Sequence, residues 1–277
     1  MSLRRLGIIG CGSIAELVLS TLAKNLPAPL MQVSILASER SMEKAQGFLD
    51  RLGAKLAQAR TVHSDISGLL SDRPDTVAEC ASHSAVRDYG TAILAAGCDF
   101  VVISIGALAD DNLRTQLIDA AKRGGARLVL PPGAVGGVDA LSAANLSGLE
   151  SVVYSGRKPP KAWKGSPAEK LLALDELTEP AIFFEGSARQ AASEYPFNAN
   201  VAATLALAGL GLDATQVRLI ADPGVTRNVH EIAVRSGCGD FTVRLEGRPS
   251  PTNAKTSLMA GYSVARDLIN RAGPVVV

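Results

Sequence analysis

Gly10, Gly12 and Ala15 are spaced as G-x-G-x-x-A in the run Gly7-Ile-Ile-Gly10-Cys-Gly12-Ser13-Ile14-Ala15. The run closes a short apolar stretch and opens a segment with helical spacing. Gly10 permits a tight turn, Gly12 puts no Cβ between backbone and ligand, and Ala15 lets helix and strand pack closely. The N–H groups at the start of such a helix, those of Ser13 and Ile14 included, attract phosphate oxygens. This is chemistry for a dinucleotide, so the expected cofactor is NAD or NADP. The second strand should end beside the adenine ribose, and the sequence there is Leu36-Ala-Ser38-Glu39-Arg40. Glu39 can accept from a 2′-hydroxyl, whereas Ser38 and Arg40 can hold a 2′-phosphate, which leaves the choice of cofactor open. Glu79-Cys-Ala81-Ser82-His83 follows another strand-like run, and a backbone contact to the nicotinamide ribose is expected near Ala81. His83 reads as a solvated or helix-capping residue.

Alternating strands and helices must position these groups. Strand-like runs at residues 6–9, 32–36, 76–79, 100–103 and 127–130 are separated by helical patterns at 13–26, 41–52, 85–96 and 111–123. This predicts an α/β fold, a Rossmann-type doubly wound parallel sheet. After Pro131-Pro132 the pattern changes. A short helix is expected at 138–144, strands at 151–155, 181–187, 216–221, 228–234 and 240–245, and a longer helix near 198–209. The last two strands are expected to form a hairpin through Ser236-Gly-Cys-Gly239. This half predicts a second α+β domain with a mixed, largely antiparallel sheet. Residues 159–167, rich in Lys, Pro and Gly, read as a mobile loop, and 256–271 as a closing helix. The expected division is 1–132 with the C-terminal 250–277 as the dinucleotide-binding domain, and 133–249 as the substrate domain.

Composition removes other classes of function. Lys plus Arg total 28 against 27 Asp plus Glu, so no net field recruits nucleic acid or an anionic membrane. With 4% aromatic residues a base-stacking platform is not expected either. The stretch 91–109 is apolar but broken by Asp99 and two glycines, and parses as helix end, turn and strand rather than a membrane span. Four scattered cysteines fit reduced thiols in a cytoplasmic protein, and three scattered histidines show no metal-ligand spacing. The strand-like start predicts no signal peptide.

Three polar segments stand out in the second half: Leu130-Pro-Pro-Gly133-Ala134-Val-Gly136-Gly137, Tyr195-Pro-Phe-Asn198-Ala-Asn200, and Asp222-Pro-Gly-Val-Thr-Arg-Asn228-Val-His230-Glu-Ile232. With the N-terminal glycines, with Arg157-Lys158-Pro-Pro, Phe184-Glu-Gly-Ser-Ala188 and Asn253-Ala-Lys255-Thr256-Ser257, the chain resembles the L-aspartate dehydrogenase family along nearly its whole length. The resemblance implies oxidation of L-aspartate to iminosuccinate with NAD or NADP. Iminosuccinate then hydrolyses to oxaloacetate and ammonia or feeds pyridine nucleotide biosynthesis. It also implies that His230 is the catalytic histidine, that Ala134 and Asn200 contact the cofactor, and that the chain forms a homodimer. Dihydrodipicolinate reductases and homoserine dehydrogenases are the expected architectural relatives.

The residues carry their own argument beside this. Hydride loss from the amino-acid Cα requires a neutral amine, and histidine is the base suited to neutral pH. On an alternating strand His230 shares a face with Ile232, so it is expected toward an enclosed pocket. A dicarboxylate needs cations and donors, for which Arg157 with Lys158, or Lys255 with Thr256, are the candidates, together with Asn198. Asp222 is read as orienting the turn before the histidine strand. The alternatives are a reductase of the dihydrodipicolinate type, which should show a strongly basic catalytic loop, and a non-catalytic NAD-binding sensor, which should carry an output element. The sequence shows neither feature.

Overall fold

The computed structural model describes residues 3–195, 200–250 and 253–276, the side chains of 249–250 and 253–256 excepted. The chain forms two compact units, residues 1–131 with 260–277 and residues 132–259. Residues 250–259, expected with the C-terminal helix, therefore belong to the second unit.

Unit 1 contains β1 (Arg5–Ile9), α1 (Ser13–Asn25), β2 (Leu30–Leu36), α2 (Met42–Leu52), β3 (Ala57–His63), α3 (Ile66–Ser71), β4 (Thr76–Glu79), α4 (His83–Ala95), β5 (Asp99–Val102), α5 (Asp111–Gly124) and β6 (Leu128–Val129). The strands pair in the order β3-β2-β1-β4-β5-β6, and every pairing is parallel. The register aligns Gly7 with Val77 and Val77 with Phe100, so these share one face. Leu69 of α3 lies against Gly7, and Gly90 of α4 lies against Phe100 and Leu117 of α5. Ile8, Ala78 and Val101 occupy the other face and join a core with Val18, Leu22 and Leu49 of α1 and α2. Helices thus cover both faces, as βαβ crossovers dictate.

Unit 2 contains α6 (Val138–Asn145), β7 (Leu149–Lys158), α7 (Ala168–Leu171), β8 (Ala181–Ser187), α8 (Ala188–Glu194), α9 (Asn200–Ala208), β9 (Gln216–Ala221), β10 (Val229–Ser236), β11 (Phe241–Glu246), β12 (Pro249–Ser250) and β13 (Asn253–Ser257). Its main sheet has the order β11-β10-β7-β9-β8, with β7 and β9 parallel and the other pairs antiparallel. A capping box, Ser187 with Gln190, starts α8 directly at the end of β8. The last helix, α10 (Leu258–Ala272), brings Val264 and Leu268 into the core of unit 1.

Three expectations need correction. The closing helix begins at Leu258, because 253–257 pair as β13 with β12. Residues 159–167 are not a loose loop. They fold into a short 3-10 turn, Pro160–Trp163, whose Trp163 is fully buried, donates from Nε1 to the Ile220 carbonyl at 3.1 Å and packs edge-on against Phe183. A strand and a helix, β3 and α3, occupy a region in which no element was expected. No described helix is long and apolar enough to cross a membrane.

Candidate active site

The glycine turn of unit 1 is fixed by two constraints. Gly10 has φ +94°, and a Cβ there would lie 2.9 Å from the Ala81 methyl and 3.1 Å from the Cys80 carbonyl oxygen. Its N–H donates to the Leu36 carbonyl at 2.8 Å, which locks the turn to the end of β2. Gly12 is different: a Cβ there would meet nothing within 4 Å. It stands at the N-cap of α1, where no side chain caps the helix. Half-buried Ser13 and Ile14 open the helix, and Ala15 is fully buried. Uncapped amides facing open space are what a pyrophosphate requires, so the residues fit a dinucleotide.

A cleft beside this turn is lined by Gly10, Cys11, Ser38, Ser41, Ser64 and Ala81, among others. Glu79 holds its inner wall. It is fully buried at the end of β4, accepts from the Ala81 N–H (2.7 Å), the Ser104 N–H (2.9 Å) and the Ser104 hydroxyl (3.0 Å), and so ties the loop after β4 to the loop after β5. Burial pushes its carboxyl pKa up, and these donors oppose the shift. The Ala81 N–H is thereby occupied. The Ala81 methyl lies against Gly10.

Unit 2 carries a different kind of site. Residues of equal parity share a strand face, which places Tyr154, Gly156 and Lys158 on one face of β7. Across the ladder, His230 of β10 pairs with Gly156. The His230 ring is stacked on Tyr154, with centroids 6.0 Å apart and planes at 14°, and its Nδ1 lies 2.8 Å from the Tyr154 hydroxyl. Gly156 makes the arrangement possible, because a Cβ there would lie 2.7 Å from that hydroxyl. His230 is 6% exposed. Burial first, and the nearby Lys158 second, hold its pKa down to about 4. Burial holds Lys158 down to about 8, and its Nζ lies 4.6 Å above the Trp163 ring. The imidazole is therefore neutral at neutral pH, with Nδ1 committed to Tyr154. The glycine-rich segment that contains Ala134 packs on the same face: a Cβ at Gly137 would lie 2.7 Å from Val243 and 3.5 Å from Ile232, the neighbours of His230 on its side of the sheet.

Two family models match the chain in succession. "Homoserine dehydrogenase, NAD binding domain" covers residues 10–131, and "Aspartate dehydrogenase, C-terminal" covers residues 139–271. An L-aspartate dehydrogenase of Cupriavidus taiwanensis is 43% identical over 98% of both chains, and one of Pseudomonas aeruginosa is 44% identical over 98% of both. The chain belongs to the L-aspartate dehydrogenase family. The crystal structure of aspartate dehydrogenase from Thermotoga maritima superposes with a TM-score of 0.75 at 26% identity and covers all of both chains. A dihydrodipicolinate reductase from Paenisporosarcina, 14% identical with a TM-score of 0.52, shares the fold.

Seen as a family member, the chain sorts the expected site residues into three groups. Gly10, Ser38 and Ala81 line the unit 1 cleft, and Gly12, Ser13 and Ile14 adjoin it at the start of α1. Glu39 and Arg40 are exposed on a 3-10 turn, Glu39–Ser41, and are not among the lining residues. His230 and Lys158 come together with Tyr154. Arg157, paired in sequence with Lys158, is on the opposite strand face, where Nη1 donates to Asp222 Oδ2 at 2.9 Å. Asp222 also accepts from the Gly224 N–H at 2.7 Å, which gives it the turn-orienting role expected. Asn200 begins α9, its carbonyl accepting from Thr204. Asn198 lies outside the described residues; Lys255 and Thr256 lie on β13, their side chains likewise outside. Sequence reasoning missed Tyr154, Gly156 and Glu79. A glycine inside an apolar strand was the available signal for the first two.

Proposed function

We propose that this chain oxidises L-aspartate to iminosuccinate with NAD or NADP as acceptor. The observation that carries the reading is the contact of Tyr154 with buried, neutral His230, with Lys158 on the same sheet face, in a chain otherwise close to the L-aspartate dehydrogenases in both halves. Oxidation removes two electrons and a proton from the Cα–H with its hydride, and a second proton from the amine. When bound, the nicotinamide supplies the hydride acceptor. In the tautomer whose Nδ1–H donates to the Tyr154 hydroxyl oxygen, His230 Nε2 is unprotonated and accepts the amine proton. Tyr154 fixes the ring plane and engages Nδ1, so the accepting nitrogen keeps its position. Lys158 is largely cationic at pH 7 and on the same face, and it holds a substrate carboxylate. Arg157, already paired with Asp222, keeps the turn before β10 in place. Ala134 and Asn200 contact the cofactor, with Gly10, Gly12, Ser13 and Ile14 at its pyrophosphate. Iminosuccinate released to water hydrolyses to oxaloacetate and ammonia.

The same reading includes a homodimer, since a second copy covers edge strands such as β8 and β11, and a reducing cytoplasmic compartment for the thiols. The decisive experiment follows reduced-nicotinamide absorbance over a panel of amino acids with each cofactor. Aspartate-dependent reduction supports the function, and silence with aspartate under both cofactors ends it.

A further inference from the structure

We propose that the Ser257 hydroxyl is a second substrate donor, binding the carboxylate of L-aspartate that Lys158 does not hold. The inference rests on the reading of this chain as an aspartate oxidiser. It starts from an unsatisfied group. Two buried side-chain hydroxyls, those of Thr215 and Ser257, have no hydrogen-bond partner among the described residues. Buried hydroxyls are normally paired, and each exception asks for a cause. Thr215 is wholly enclosed. Ser257 is half-buried as a residue and stands directly before α10, where a serine hydroxyl ordinarily bonds a helix amide; this one does not.

The sheet places that hydroxyl relative to His230. Gly247 lies one residue past β11, and its N–H donates to the Asn228 carbonyl at 2.8 Å, so the β10–β11 ladder runs on by one step. Arg157 pairs with Val229, which brings Lys158 to the level of Asn228 from the other side. Lys158, Asn228 and Gly247 thus form the level of the sheet next to that of Gly156, His230 and Leu245. A Cβ on Gly247 would lie 4.0 Å from Leu245 Cδ2, 3.5 Å from Ser257 Oγ and 3.7 Å from the Asn228 carbonyl oxygen. These are ordinary contact distances, so beside the hydroxyl there is room for about one heavy atom that no described side chain fills. Lys158 enters this level from β7 and Ser257 from beyond β11, strands whose backbones are roughly 10 Å apart with β10 between them. That layout suits a dicarboxylic amino acid, with one carboxylate to each side and the amine at the imidazole. A hydroxyl gives the second carboxylate a charge-assisted bond and puts no further positive charge beside an imidazole that must stay neutral.

The test measures aspartate oxidation by the whole chain and its competitive inhibition by succinate, a dicarboxylate without the amine. In Ser257→Ala, KM for aspartate and Ki for succinate are expected to rise about tenfold or more, the effect of one lost bond to a charged group, with kcat within a few-fold of the parent. The thermal midpoint should hold or rise, because the removed hydroxyl has no partner in the fold. Gly247→Ala, whose methyl meets only ordinary contacts, should fold like the parent and raise the same two constants by filling the space beside an intact Ser257. Unchanged KM and Ki in Ser257→Ala overturn the assignment, whatever Gly247→Ala does. A lowered thermal midpoint in Ser257→Ala overturns it as well, since the hydroxyl would then serve the fold. A parent chain that reduces neither cofactor with aspartate ends the functional reading, and the proposal falls with it.

Discussion

At Gly12, unit 1 offers bare backbone to open space; around His230, unit 2 has withdrawn a tyrosine and a histidine from water and half-buried a lysine beside them. The first surface needs no side-chain chemistry. Its selectivity comes from omitting Cβ atoms and leaving helix amides uncapped, so its ligand must bring the charge. The second relies on side chains whose proton affinities have been moved by burial, and it holds them by contacts across a sheet. A binding surface of the first kind tolerates chemistry being supplied from outside, whereas a proton-transfer surface of the second kind must be internally rigid. Mutations should therefore separate the two.

The largest separation is expected from His230→Ala. Turnover of aspartate should fall by roughly 10²–10⁴, the range for loss of a general base. Nucleotide affinity measured by calorimetry should stay largely unchanged, because the phosphate-binding turn is built from Gly10 to Ile14, to which His230 contributes no atom. Turnover within a few-fold of the parent would remove His230 from the chemistry.

Gly156→Ala is the next strongest. The new methyl would lie 2.7 Å from the Tyr154 hydroxyl, so the ring must give way and His230 loses its partner. A stability loss of about 1–3 kcal/mol is expected from overpacking, with turnover down roughly 10–100-fold through the lost support of the base. The double variant Gly156→Ala with Tyr154→Phe removes the clashing hydroxyl. Urea denaturation should then show stability recovered while turnover remains low. If turnover recovers together with stability, the Tyr154 hydroxyl does not position His230.

These two sites also differ in how far the sequence announces them. The glycine turn is local: strand, turn and helix follow one another without a break from Arg5 to Asn25, and spacing alone reveals the geometry. The Tyr154–His230 contact joins positions 76 apart in the chain, and no window of sequence contains both. Strand β3 escaped notice because Ala57-Gln-Ala-Arg-Thr-Val-His63 lies at the sheet edge and is mostly polar, without the continuous apolar run that marks a buried parallel strand. Trp163 misled in the opposite way. Its Lys-, Pro- and Gly-rich surroundings describe a loop, but one large aromatic with a partner for its N–H anchors that loop in the core. Arg157 and Lys158 looked like a pair in sequence, yet adjacent strand residues point to opposite faces.

Within unit 1 the comparison sharpens between neighbouring glycines. Gly10→Ala meets a positive φ and a methyl at 2.9 Å, so the fold itself should lose roughly 1–3 kcal/mol. Gly12→Ala meets nothing within 4 Å, so its thermal midpoint should be unchanged while nucleotide affinity falls, since only the ligand approaches there. Equal destabilisation by both substitutions would mean that Gly12 serves the fold.

The smallest effect concerns charge within the unit 2 stack. His230 has its pKa lowered to about 4 from 6.5, first by burial and then by Lys158. Lys158→Met removes the second cause and leaves the first. The His230 pKa, followed by nuclear magnetic resonance, should therefore rise but stay below 6.5. The linkage has a definite sign. Between about pH 6.5 and pH 4 the unfolded chain binds a proton at this histidine that the folded chain does not, so stability rises with pH across that window and the contribution is constant on either side of it. In Lys158→Met the window narrows from below, and the loss of stability on going from pH 7 to pH 4 should be smaller than in the parent chain. An unmoved or lowered His230 pKa in that variant would show that the lysine ammonium does not act on the imidazole, and with it would go the picture of a cation and a base sharing one face of the sheet.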